Sequence, residues 1–143
     1  MLRYQEFDHT ADIGVEIYGQ TLTELFCNAG YALFDTLVDA ATIRLALTRT
    51  VTVTGSDVEI LLINWLRELL YLFAVEQEVY AEFEIVSGVQ TEGCTPTLTA
   101  IVKGEPFDPE KHDFRTEIKA VTYHQLTVTQ ANGIWTARVL FDV

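Results

Sequence analysis

The chain has 143 residues, 49% hydrophobic and 21% charged. That suits one domain with a buried core, expected to span residues 1–143, and excludes a disordered or low-complexity protein. Its formal charge is −12, with nine basic residues against 21 acidic ones, so its overall field excludes a general grip on phosphates and suits a basic protein surface, a bound cation or solubility.

Tyr4 to Phe7 offers an edge strand. Ile13, Val15 and Ile17 then alternate with Gly14, Glu16 and Tyr18, which predicts a strand with one buried face. Thr21 and Glu24 form a capping-box pattern, and Leu22, Leu25, Phe26, Ala29, Leu33, Phe34 and Leu37 follow at helical spacing, so a helix should run from Leu22 to Val38. Thr48 to Thr54 alternates Thr and Val and predicts a strand ended by Gly55. Ser56 and Glu59 suggest a second capping box. The helix behind them is apolar around most of its circumference, which implies that it is central or that one flank meets a partner.

Val79 to Ser87 and Leu98 to Lys103 predict strands joined by a loop over Gly88 to Pro96. Gly104 to Phe114, with two prolines and six charged or imidazole side chains, reads as an exposed loop. Ile118 to Gln130 and Ile134 to Val143 flank Asn132-Gly133, a strong hairpin signal. A tight turn there, continued in register, would pair Val128 with Ala137, Leu126 with Val139, Gln125 with Leu140, His124 with Phe141 and Tyr123 with Asp142. Roughly six or seven strands and two helices predict an α+β fold, mostly antiparallel β-sheet with two α-helices packed on one face.

The cysteines, Cys27 and Cys94, fit no metal spacing. Cys27 is expected to be a small buried helix residue, and the usage suits a reducing cytoplasmic setting. No basic region followed by an apolar run opens the chain, so no signal peptide is expected. Val58 to Val75 is very apolar, but Glu59, Asn64, Arg67 and Glu68 interrupt it, which argues against a membrane span.

No nucleophile elbow, Gly-rich phosphate loop or histidine pair with ligand spacing is present, so a hydrolase or kinase has almost no local support. A hard-cation site has more. Asp12 lies in His9-Thr10-Ala11-Asp12-Ile13-Gly14, with Asp8 nearby, and Asp142 precedes Val143. If the fold joins these segments, three carboxyl groups meet, and such a cluster holds a cation or takes up protons. On the residues alone, solvated carboxylates at strand ends are the simpler reading, as are a capping or packing His9, a solvated Lys119 and a rim His124.

These residues also carry a resemblance. The His9–Gly14 motif followed by Gly19-Gln20-Thr21-Leu22 is similar to the opening of the archease family. So are Asn64 to Phe73, the Gly104-Glu105, Asp108 and Lys111-His112 loop, Glu117 to His124, and Phe141-Asp142-Val143, in order along the whole chain. The resemblance implies a non-catalytic activator of the tRNA-splicing RNA ligase that joins a 3′-phosphate or 2′,3′-cyclic phosphate end to a 5′-hydroxyl end. Such a protein promotes ligase guanylylation and multiple turnover, meets nucleic acid only through the ligase and works in the cytoplasm. The resemblance also implies a divalent-metal site at Asp12, Asp142 and Val143, with Ca²⁺ the leading candidate and Mg²⁺ or Mn²⁺ as alternatives. His9, Lys119 and His124 match motif positions without an assigned role. A chaperone or specificity factor for a tRNA-modifying enzyme such as a tRNA methyltransferase is the competing reading. An independent metal-dependent hydrolase is a third and needs a water-activating residue beside the metal, for which His9 and Asp8 are the candidates.

Overall fold

The computed structural model describes residues 2–89 and 95–143. Its elements are β1 (Tyr4–His9), β2 (Asp12–Gly19), α1 (Leu22–Leu37), β3 (Leu47–Thr54), α2 (Val58–Glu76), β4 (Glu78–Ser87), β5 (Thr97–Pro106), β6 (Ala120–Ala131) and β7 (Ile134–Asp142), with a short 3-10 turn at Ala40–Thr42. All strand pairs are antiparallel, in line with the α+β reading. The strands divide between two sheets, one ordered β1-β2-β7-β6 and the other β3-β5-β4. Each helix packs on both: α1 on β2 and β4, α2 on β6 and β3.

Thr21 caps α1, its hydroxyl accepting from Glu24 N at 3.0 Å while Glu24 Oε1 accepts from Gln20 N at 3.2 Å. Contact with both sheets explains why α1 buries Leu25, Phe26, Ala29, Ala32, Leu33, Phe34 and Leu37 around so much of its circumference. Trp65 of α2 is fully buried and donates its indole N–H to Phe26 O at 2.9 Å, which ties the helices together through a polar atom that would otherwise lack a partner. The second capping box does not form. Asp57, not Ser56, caps α2, accepting from Ile60 N at 2.8 Å. A carboxylate at this position also complements the partial positive charge of the helix start.

The loop expected over Gly88 to Pro96 falls largely outside the described residues, as does Cys94. Cys27 is half-buried on α1, its thiol donating to Phe83 O at 3.2 Å, and burial pushes that thiol up to about 11.

The exposed loop expected from Gly104 to Phe114 is corrected by the structure. Gly104, Glu105 and Pro106 complete β5, and Glu105 and His112 are buried. Glu105 Oε2 accepts from Arg44 N at 2.7 Å and lies 2.9 Å from His112 Nε2, and Lys111 Nζ reaches both carboxylate oxygens at 2.8 and 2.7 Å. His112 Nδ1 accepts from Asp108 N at 2.9 Å, so the ring donates to Glu105 through Nε2. Phe107 stacks on His112, and Phe73 and Phe114 pack beside it. Lys111 and His112 turn back onto one carboxylate while Asp108, Glu110 and Asp113 stay exposed, a division that a count of polar residues does not reveal.

The last hairpin is also corrected. Asn132 and Gly133 both have positive φ, 54° and 76°, as a two-residue hairpin turn requires, and pairing holds from Ala131/Ile134 to Thr127/Arg138. The register then breaks. Thr122 pairs with Leu140, Val121 with Phe141 and Ala120 with Asp142, so three extra residues bulge from β6. The expected pairs Leu126/Val139, Gln125/Leu140, His124/Phe141 and Tyr123/Asp142 do not occur. Gln125 sits in the bulge at φ 58°, and the extra length turns Tyr123 and His124 out of the ladder.

Two stability tests follow. A Cβ on Gly104 would stand 1.8 Å from Val79 O and 2.7 Å from Tyr80 Cα, both backbone atoms of the paired strand. Gly104→Ala is expected to cost about 3 kcal/mol or more, read as a lowered denaturant midpoint; a midpoint unchanged from wild type contradicts this. Burial alone would raise the Glu105 carboxyl, but the Arg44 N–H, Lys111 and His112 outweigh it and hold it at about 2, below its ordinary 4.5. The sign follows directly: the stabilisation is complete above about pH 4.5 and disappears as pH falls through about 2. Glu105→Gln should flatten the acid limb in that window and cost about 2 kcal/mol at neutral pH, allowing for solvent screening. Urea unfolding at a series of pH values checks it, and parallel wild-type and variant profiles would refute it.

Candidate functional site

The register of the first sheet builds the site. β2 pairs with β7 so that Asp12 stands directly opposite Asp142, and β1 pairs with β2 so that His9 stands opposite Asp12. On the far side of β7, Ala120 faces Asp142. Directly opposed residues project to the same face, so His9, Asp12, Asp142 and Ala120 form one row across four strands. The next row is Phe7, Gly14, Leu140 and Thr122.

Local sequence explains this geometry. Only Thr10 and Ala11 connect His9 to Asp12, and Ala11 takes a positive φ of 64°, a conformation that costs an L-residue roughly 1 kcal/mol. Gly14 leaves room for Phe7, whose ring lies 2.3 Å from where a Cβ would stand, and the Arg138 guanidinium stacks on the other side of that ring at 4.0 Å. Arg138 also pairs with Glu16 at 2.8 Å. The alternate residues Val15, Ile17, Ala137, Val139 and Phe141 are fully buried on the core face.

His9 Nδ1 lies 3.5 Å from Asp12 Oδ2, close enough for charge attraction, yet it makes no hydrogen bond. Among the described residues it is the one buried side-chain polar atom without a partner. The bulge of β6 brings His124 to the same place, its ring centroid 6.4 Å from that of His9. Lys119 N donates to Asp142 O at 2.7 Å and fixes the entry to β6 beside the end of β7. Val143 follows Asp142 and is exposed.

The residues singled out in the sequence therefore converge. Asp12 and Asp142 are cross-strand neighbours, Val143 follows Asp142, His9 stands opposite Asp12 with His124 beside it, and Lys119 reaches Asp142 through its backbone N–H. Asp8 faces the other way, opposite Ile13. Among the described residues, no group of three or more His, Cys, Asp and Glu side chains is arranged to hold a metal ion. Two aspartates fall below that count, but carboxylate oxygens are of the type that Ca²⁺ and Mg²⁺ take. Sequence reasoning missed Arg67. Its Nε donates to Val121 O at 3.0 Å and its guanidinium lies 4.7 Å from the Tyr123 ring, which links α2 to the same end of the sheet. Its interruption of an apolar helix was the available signal.

Comparison with known proteins bears on the family and the fold. Residues 4–143 match the family model described as "Archease protein family (MTH1598/TM1083)". Relatives named "Protein archease" include that of Methanosarcina mazei, 41% identical over 141 residues that cover 99% of this chain and 96% of the relative. The Pyrococcus furiosus protein of that name is 37% identical over the full length of both. The solution structure of Methanobacterium thermoautotrophicum protein 1598 superposes with a TM-score of 0.82 at 33% identity, covering 99% of each chain. The crystal structure of a Thermotoga maritima protein described as "an archease, possible chaperone" shares the fold, with a TM-score of 0.65 at 22% identity and coverage of 97% and 96%. With a family match over nearly every residue and the His9–Gly14 motif folded against Asp142, the chain belongs to the archease family.

Proposed function

We propose that this protein activates the tRNA-splicing RNA ligase, promoting its guanylylation and multiple turnover, and that Asp12, Asp142 and Val143 hold a divalent cation, Ca²⁺ first and Mg²⁺ or Mn²⁺ otherwise, for that purpose. The observation that carries the reading is the placement of Asp12 opposite Asp142 in a family member. Directly opposed like charges destabilise a sheet, so a pair of this kind calls for a neutralising partner. The family's role as an RNA-ligase activator supplies the reaction.

When bound, the cation supplies a positive centre for phosphate oxygens. The chain's own residues do the rest. Asp12 and Asp142 would offer carboxylates from two strands whose pairing fixes their backbones opposite one another. His9 stands opposite Asp12 with a ring nitrogen that has no hydrogen-bond partner, and the Lys119 backbone N–H holds the Asp142 carbonyl. The acidic surface suits docking onto a basic RNA-handling enzyme in the cytoplasm, with steering that salt weakens. Among the described residues no helix is long and apolar enough to cross a membrane.

Asp12→Ala and Asp142→Ala are each expected to slow single-turnover ligase guanylylation by about 100-fold while the fold survives. Ca²⁺ should raise the melting temperature of the wild type and leave both variants unmoved. Full activation by both variants would remove the site from the mechanism. Failure of the wild type to speed ligation with RNA in excess over ligase would remove the activator role and favour an RNA-modifying partner.

A further inference from the structure

On α2, an outward stripe of Arg67, Leu70, Tyr71, Ala74 and Val75 recurs at helical spacing. Tyr71 and Val75 are each 55% exposed, although the opposite face of the helix, with Trp65, Leu66, Leu69 and Leu72, lies in the core. Across from the stripe, Lys119, Ala120 and Val121 enter β6. Between the two walls is an open cavity of about 310 Å³, lined by Arg67, Leu70, Tyr71, Ala74 and those three residues.

Charge sorts the occupants. Among the described residues, four of the nine cations are paired with the chain's own acids: Arg49 with Glu78, Lys111 with Glu105, Arg115 with Asp35 and Asp39, and Arg138 with Glu16. Arg67 and Lys119 have no carboxylate partner among the described residues. The Val121 carbonyl and the Tyr123 ring hold Arg67 in place while its terminal nitrogens make no hydrogen bond among the described residues. Two unneutralised cations thus stand at an apolar cleft in a chain of net charge −12.

We propose that this groove captures a segment of the partner ligase consisting of an apolar anchor side chain with an adjoining carboxylate. The anchor enters between Leu70, Ala74 and Val121, and the carboxylate meets Arg67 and Lys119. A second copy of this chain fits poorly, because a two-fold contact through the groove would set these cations against themselves and join two strongly acidic molecules. RNA fits poorly as well, since two cations beside an apolar cleft offset little of a net charge of −12, and that overall field repels a polyanion. Ala120 stands opposite Asp142, and Lys119 N is bonded to its carbonyl. A segment seated here therefore brings the ligase beside the carboxylate row. The inference rests on the activator reading and names the surface through which activation is delivered.

The test titrates this protein into the cognate ligase with GTP and reads the concentration giving half-maximal guanylylation. Tyr71→Ala removes the exposed wall, Ala74→Arg fills the cleft and Arg67→Met keeps the stem while removing the charge. Each is expected to raise the half-saturating concentration about tenfold, with helical content unchanged by circular dichroism and with a weaker salt dependence for Arg67→Met. Unchanged half-saturation in all three, with wild-type activation intact, would overturn the groove and leave the activator role standing. A wild type without effect on the ligase would remove both. A deficit that appears only when RNA is present, or a dimer in sedimentation that Ala74→Arg dissociates, would give the surface to another occupant and overturn the proposal.

Discussion

The pairing of β2 with β7 is the constraint from which the site follows. On one face of that ribbon Val15 meets Val139, Ile17 meets Ala137 and Ile13 meets Phe141, nearly all fully buried. A slip of one residue would turn this apolar set toward water and bring the opposite face into the core. The core therefore dictates that Asp12 stands opposite Asp142 on the other face. Hydrophobic burial worth several kcal/mol across these pairs outweighs the repulsion of one exposed carboxylate pair, on the order of 1 kcal/mol or less. The charges meet because of the side chains behind them.

A second constraint divides the labour of β6. Near the turn this strand follows β7 in regular register, and near its start it does so again, but the two stretches are out of phase by the bulge. Successive residues of a regular strand point to opposite faces at fixed spacing. With the bulge, Tyr123 lies beneath Arg67 of α2 and His124 approaches His9 of β1. One irregularity thus serves both the helix groove and the carboxylate row. The positive φ of Gln125 and of Ala11 places backbone strain at both margins of the site, where packing on either side must sustain it.

Much of this was legible in the sequence. Period-2 and period-3.6 patterns located most strands and both helices to within a residue or two, β5 running three residues further than expected, because β2, β7 and α1 each bury one well-defined set of side chains. The Asn132-Gly133 turn was readable because its residues meet a local conformational demand. The bulge was not, since β6 is rich in Thr and Gln that suit either face and no residue protests at a register shift. The Glu105 cluster was hidden for a related reason. Its polar residues satisfy one another in the interior, and composition alone cannot distinguish a self-satisfied network from a solvated loop. Asp12 and Asp142 stood out only as residue types at strand ends; their meeting is a property of long-range pairing.

The Glu105 network also bears on the site, although it lies apart from it. Lys111 and His112 are drawn back onto Glu105, so Phe107 and Phe114 pack against Phe73 near the C-terminal end of α2. The chain continues from there through Arg115, whose N–H donates to Leu37 O and whose guanidinium meets Asp35 and Asp39, and reaches Lys119 and the start of β6. The segment entering β6 is thus anchored first to a buried carboxylate, then to the end of α1, and finally to Asp142 O. Loosening the first anchor would free the strand start that supplies both Ala120 to the carboxylate row and one wall of the groove. A buried ion pair contributes little net stability when measured against an apolar replacement. Its value here lies in fixing the path of a segment whose own residues, from Thr116 to Ala120, bury little beyond Ile118.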